Sequence, residues 1–456
     1  MTPCLPPLDL QIKNGHVVLP DGITTTDVFI SQGRIIGLGR CPDGYGPVAE
    51  TLDATGLHVC PGIMDTHTHF REPGFTHKED IESGTRGAVL GGITTVFEMP
   101  NTWPLTTTSD ALAAKVAASV GRSWSNIAFF AGAMPDNIDT LAWLEQQPGC
   151  CGIKLFMGCS TGGMLVGDDP TIKRVLQAGH RRVAVHAEDE PLLHARRPIA
   201  EAGCSYGPDV LAHEQWRNAE VAFRATKRLT ALAWQTGRPA HILHMTTAEE
   251  AAFLANHKPL VTCEVTPQHL TLHGPEVYER LGTLAQMNPP LRERHHVDAL
   301  WQAVQAGVVE TIGSDHAPHT LAEKAQPYPK SPSGMPGVQT LLPVMLTHVN
   351  EGRLSLEQLV RLTSTNPARL YGIAHKGQIA PGFDADLTLV DLKAKHTITH
   401  TAMANRSGWT PFDGFQATGQ PVATIVGGRI AMRDNELAPY PTGTVVQFSP
   451  SFTSIL

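Results

Sequence analysis

Between residues 58 and 314 the chain repeats one pattern, a short apolar run followed by a longer stretch of helical period. Eight such runs stand out: His58 to Asp65, Ile93 to Met99, Ile127 to Ala133, Gly152 to Met157, Arg182 to His186, His241 to Met245, Leu260 to Val265, and Val309 to Ser314. Runs of this length are buried strands, and helical stretches between them make βα units, so the sheet is expected to be parallel. Eight units suit a TIM-type (β/α)8 barrel, although a doubly wound open sheet has the same alternation.

The flanks have a different texture. Residues 8 to about 60 read as short β segments broken by Gly and Asn turns, as in Leu10-Gln11-Ile12-Lys13-Asn14-Gly15, and similar segments return after residue 376, as in Val422 to Gly428. The expected organisation is therefore a small β-sandwich domain built from both chain ends, residues 1–57 and 375–456, around a barrel at 58–374. A chain of 456 residues has room for both.

In a barrel the reactive groups sit at the carboxyl ends of the strands, and that is where the two topologies can be told apart. The first run ends in Asp65-Thr66-His67-Thr68-His69-Phe70-Arg71, whose i, i+2 spacing turns both imidazoles to one side of an extended strand. An HxH pair alone is a weak metal signal. Further donors nevertheless close other runs: Lys154, His186 before Ala187-Glu188-Asp189, His244 before Met245-Thr246-Thr247, and Asp315 in Gly313-Ser314-Asp315-His316. Singly, each has a bland account in a hydrogen bond to backbone or a rim salt bridge. Jointly, imidazoles and a carboxylate at successive strand ends are a donor set suited to zinc and favour the barrel.

With these residues in view, the chain resembles the amidohydrolase superfamily, in its cyclic amidase branch of dihydroorotases, allantoinases and dihydropyrimidinases. The resemblance implies that His67 and His69 hold one Zn2+ with Asp315, and that His186 and His244 hold a second. It implies that Lys154, as N6-carboxylysine, bridges the two ions together with hydroxide. An ammonium has three donors and no acceptor and would repel two dications, whereas a carbamate offers two anionic oxygens. Asp315 would also carry the catalytic proton.

Substrate must be read from the other residues. Arg71, two positions after His69, suits a bidentate pair with a carboxylate, and its bland alternative is a salt bridge to Glu72 or another rim acid. His67-Thr68-His69-Phe70-Arg71-Glu72-Pro73-Gly74 and Met99-Pro100-Asn101-Thr102 are similar to the dihydroorotase signature. That likeness implies that Arg71, Asn101 and His319 clamp a substrate carboxylate and that Asn288 meets the ring's polar edge; as a residue before proline, Asn288 also reads as a turn residue. The expected reaction is the reversible conversion of N-carbamoyl-L-aspartate to L-dihydroorotate in de novo pyrimidine biosynthesis. Since ring opening releases a proton, lower pH should favour closure. Allantoinase or hydantoinase/dihydropyrimidinase is the alternative enzyme, and an inactive structural partner of aspartate carbamoyltransferase the alternative of another class.

His77 and His316 lie outside this ligand scheme and read as structural. The stretch from His316 to Gln339, rich in Pro, Ser and Gly, reads as a mobile surface loop that could cover the site as a lid.

A net charge of −8 without a dense Lys/Arg block offers nothing to nucleic acid or an anionic membrane. Met1-Thr2-Pro3-Cys4 begins no basic leader, and no apolar stretch of about 18 residues follows, so a cytoplasmic location is expected. The eight cysteines, Cys4, Cys41, Cys60, Cys150, Cys151, Cys159, Cys204 and Cys263, are scattered and expected to be free, mostly buried thiols. Partners are expected to be a small-molecule substrate and further copies of the chain, as a homodimer or homotetramer, with aspartate carbamoyltransferase as a candidate contact.

Overall fold

The computed structural model describes residues 6–449 except 161 and 206. The N-terminal end supplies β1 (Leu8–Leu19), β2 (Gly22–Ser31), β3 (Arg34–Leu38), β4 (Val48–Asp53) and β5 (His58–Pro61). Eight strands follow: β6 (Ile63–Thr68), β7 (Ile93–Glu98), β8 (Asn126–Gly132), β9 (Cys150–Phe156), β10 (Val183–His186), β11 (Ala240–Ile242), β12 (Val261–Val265) and β13 (Thr311–Ile312). The C-terminal end adds β14 (Leu387–Thr397), β15 (Gln416–Val426), β16 (Arg429–Arg433) and β17 (Glu436–Leu437).

β6 to β13 pair in chain order, all parallel, as one eight-stranded sheet. Continuous burial of every residue in β6 to β13 fits strands covered on both faces. No ladder joins β13 to β6. The seam is instead drawn together by the Ser314 amide, which donates to Asp65 Oδ1 at 2.9 Å, and by a parallel bridge between Thr68 and His316. The open-sheet alternative is thereby set aside, and the chain is a TIM-type (β/α)8 barrel.

The end strands form a second, mixed sheet of nine, in which β14 pairs with β5 and β5 with β1. The β2–β3 turn at Gly33 packs against the β15–β16 turn at Gly427 and Gly428, so the sheet folds over a core that includes Ile12, Val28, Leu387 and Ile425. The run His58 to Asp65, read as one strand, is two. Gly62 divides it, since a Cβ there would lie 2.4 Å from Thr94 Oγ1 and 2.8 Å from Asp386 Cβ. Its amide donates to Asp386 O at 2.7 Å, which locks the sheet to the barrel at the point where the chain passes between them.

Seven cysteines fall among the described residues and all are free, with Cys60, Cys150, Cys151 and Cys263 buried; Cys4 lies outside them. No helix among the described residues is long and apolar enough to cross a membrane.

Candidate active site

At the carboxyl ends of the barrel strands lies a small, predominantly polar cavity. Its wall includes His67, His69, Lys154, His186, His244 and Asp315, so every residue expected to bind metal faces one space. Arg71, Asn101 and Asn288 face it as well.

Helix caps fix the strand ends. Asp189 caps the helix Glu190–Ala202 directly after the His186 segment, and Thr247 closes a capping box on Ala248–Leu254 directly after the His244 segment. Three site residues, Arg71, His244 and Asp315, hold φ values of 62°, 39° and 44°. Side-chain residues in this left-handed region cost about 1–3 kcal/mol each, a strain that the surrounding structure must offset and that clusters where geometry serves function.

The donors converge. Asp315 Oδ1 lies 3.2 Å from His67 Nε2 and 3.2 Å from His69 Nε2. On its far side His67 Nδ1 meets Glu264 Oε1 at 2.7 Å, and His69 Nδ1 meets Asn101 Oδ1 at 2.7 Å. Each Nδ1 donating outward leaves each Nε2 with a lone pair aimed at a carboxylate. Burial keeps both rings from relieving this by protonation, holding His67 down at about 3 and His69 well below the usual imidazole value. Burial, aided by the charge of Asp315, raises the Glu264 carboxyl to about 8. Two ring nitrogens and a carboxylate buried against one another are donors that could hold a cation, and these residues fit a metal ion.

A second donor group adjoins the first. His186 Nε2 binds Glu188 Oε2 at 2.8 Å, which leaves Nδ1 as the acceptor that faces His244 Nε2 at 3.0 Å. Glu188 is itself paired with Arg217; burial works against its charge, but the guanidinium and His186 hold the carboxyl down at about 2. Lys154 Nζ and His244 Nδ1 are buried and make no hydrogen bond among the described residues. Burial also pulls Lys154 down to about 7, so much of it is an uncharged amine near neutral pH. An orphaned, uncharged amine among metal donors fits conversion to a bridging anion.

Arg71 is buried, donates through Nε to Pro318 O at 3.2 Å, and has no carboxylate within 4 Å among the described residues. Glu72, its alternative partner, binds Arg122 instead at 2.8 Å. His319 is not on the cavity wall. It lies behind the guanidinium, with Nε2 3.0 Å from Ser333 O and 3.4 Å from Arg71 Nη2, and with Nδ1 3.0 Å from Lys78 Nζ. His316 is buried, with Nδ1 accepting from the Gly337 amide at 3.1 Å, and His77 is exposed beside Glu323.

Sequence reading did not assign Glu264 or Glu188. The available signal was an acidic residue inside the apolar run Val261-Thr262-Cys263-Glu264-Val265, and another two residues after a candidate ligand.

The loop after β13 is braced rather than loose. Lys324 Nζ reaches three carbonyls, Gln286 O at 2.9 Å, Pro332 O at 2.9 Å and Gly334 O at 3.0 Å, and Trp409 Nε1 donates to His319 O at 2.7 Å. Burial opposes the charge, yet three carbonyl acceptors use all three N–H donors of the ammonium form. Ser333 and Gly334 form part of the cavity wall, so this brace shapes the site. Lys324→Met removes every one of these donors. With about 1–3 kcal/mol at stake per stranded carbonyl, urea denaturation should show a clearly lower midpoint, and an unchanged midpoint would rule out the brace.

Comparison with known proteins agrees with this geometry. Residues 58–431 match the Amidohydrolase family. The chain is 33% identical over 448 residues to a dihydroorotase of Methanosarcina acetivorans, covering 95% of this chain and 94% of that one. It is 35% identical over 450 residues to an allantoinase of Rubrobacter xylanophilus, covering 96% and 97%. Among solved structures, the L-hydantoinase (dihydropyrimidinase) from Arthrobacter aurescens superposes with a TM-score of 0.90 at 30% identity, covering 96% of this chain and all of that one. Relatives of three substrate names match the chain over nearly their whole lengths, so what they share defines this protein: it belongs to the amidohydrolase family and is a cyclic amide hydrolase.

Proposed function

We propose that the protein is a zinc-dependent dihydroorotase, interconverting L-dihydroorotate and N-carbamoyl-L-aspartate in pyrimidine biosynthesis. The observation that carries this reading is Arg71, a buried guanidinium at the cavity wall without a carboxylate partner among the described residues. A buried charge requires a counter-charge, and dihydroorotate brings one as its carboxylate, whereas hydantoin, allantoin and dihydrouracil do not. The dihydroorotase relative supports the same choice.

In this reading His67, His69 and Asp315 would hold one zinc ion and His186 and His244 the other. Lys154, once its amine lone pair has added to carbon dioxide and an N–H proton has left to solvent, would supply an anionic carbamate donor between the two groups. Zinc bound there supplies Lewis acidity and brings the pKa of water toward neutrality. Glu264, Asn101 and Glu188 hold the imidazoles His67, His69 and His186 in the orientation that turns a lone pair inward. Arg71, anchored through Nε to Pro318 O, takes the carboxylate together with Asn101, and Asn288 meets the ring edge. Asp315 accepts a proton at its carboxylate and returns it to the departing ring nitrogen, so one group serves as base and then acid.

The test is absorbance-monitored turnover of dihydroorotate, hydantoin, allantoin and dihydrouracil by zinc-reconstituted protein. The expected result is a kcat/KM for dihydroorotate at least about tenfold above the others, a gap of about 1.4 kcal/mol. Preference for hydantoin or allantoin would instead move the protein to the substrate of the corresponding relatives.

A further inference from the structure

Behind the cavity wall at Asn288 lies a histidine outside the candidate ligand set. His213, in the helix Leu211–Trp216, is buried, with Trp216 and Tyr328 packed edge-on at ring distances of 5.9 and 5.8 Å. Its Nε2 lies 3.0 Å from Met287 O and 2.9 Å from Asn288 Oδ1, while its Nδ1 is buried without a partner among the described residues. His213 does not line the cavity, but Asn288 does.

The chemistry of these contacts fixes the tautomer. Met287 O can only accept, so Nε2 carries the hydrogen, and an atom sharing that N–H must also be an acceptor. The Asn288 atom facing His213 is therefore the amide oxygen, and the NH2 group is turned the other way, toward the cavity and Ser160 Oγ at 3.5 Å. Asparagine could present either end to a substrate, and the Ser160 hydroxyl, able to donate or accept, does not choose between them.

We infer that His213 is a positioning residue that sets the sense of the Asn288 amide, so that the cavity offers a hydrogen-bond donor there and selects rings that turn a carbonyl oxygen, not an N–H, toward it. This rests on the proposed contact of Asn288 with the ring. A ring presenting N–H would leave two donors opposed in a desolvated site, and mispairing of that kind discriminates strongly.

A double-mutant cycle tests it, with kcat/KM measured for wild type, His213→Phe, Asn288→Ala and the pair, and with His213→Gln as the variant that keeps an N–H donor. His213→Phe should lower kcat/KM about tenfold when Asn288 is present and less than about twofold in the Asn288→Ala background, and His213→Gln should stay within about threefold of wild type. An equal loss in both backgrounds, or no loss in either, would overturn the inference. Should His213→Phe fail to melt cooperatively, His213→Met takes its place in the same cycle. The cycle is run on whichever ring the wild type opens best, so failure of the dihydroorotase reading shows in the wild-type substrate preference and failure of this inference shows in the coupling.

Discussion

Asp315→Asn is expected to lower kcat by about a thousandfold while the protein still melts as wild type does. The amide has nearly the carboxylate's shape, so packing at this buried position survives, but it cannot take up a proton at neutral pH. Proton transfer by a positioned side chain contributes about 10²–10⁴ in rate, and Asp315 lies 3.2 Å from two imidazole nitrogens, where in the proposed reading it would also be a metal donor. Steady-state kinetics with metal content measured by mass spectrometry separates the two roles. Loss of rate with zinc retained assigns the proton to Asp315; a loss of less than about tenfold would remove it from that role.

Arg71→Met should have the second largest effect, and a selective one. Stranding a buried charge opposite the substrate costs about 2–5 kcal/mol, so kcat/KM for dihydroorotate should fall by about a hundredfold or more. Dihydrouracil has no carboxylate to strand, and its kcat/KM should change by no more than a few fold. The informative quantity is the ratio of the two. If both substrates lose equally, Arg71 is holding the loop through Pro318 O and the strained backbone at φ 62°, not reading a carboxylate.

The barrel and the side chains that converge on its cavity were legible because each depends on local pattern. His67 and His69 announce themselves by spacing, and Lys154, His186, His244 and Asp315 by standing at the ends of apolar runs. What supports them was not, because support is a matter of distance in space. Glu264 meets His67 across 197 positions in the chain, and nothing near Glu264 in sequence points to an imidazole. His213 acts on Asn288 across 75 positions, from a helix with no signature of its own. Composition suggested a mobile loop at His316 to Gln339 because Pro, Ser and Gly are common there, yet one lysine reaching three carbonyls outweighs that tendency. The first run was misread for a simpler reason: strands of two sheets joined through a single glycine show no break in hydrophobicity.

That junction has a consequence for how the molecule comes to be made. β5 is hydrogen-bonded on one side to β1 and on the other to β14, which follows the entire barrel in the chain. During vectorial synthesis β5 must wait with an unpaired edge until Leu387–Thr397 has emerged, and Gly62 must wait for the Asp386 carbonyl. Contacts of such high sequence separation form late and slowly, and an exposed strand edge in the interval invites pairing with other chains. Nascent chains halted before β14 therefore carry a sticky, half-finished sheet beside a barrel whose cavity-lining residues are all already present, which makes the end sheet, not the barrel, the weak point in biogenesis.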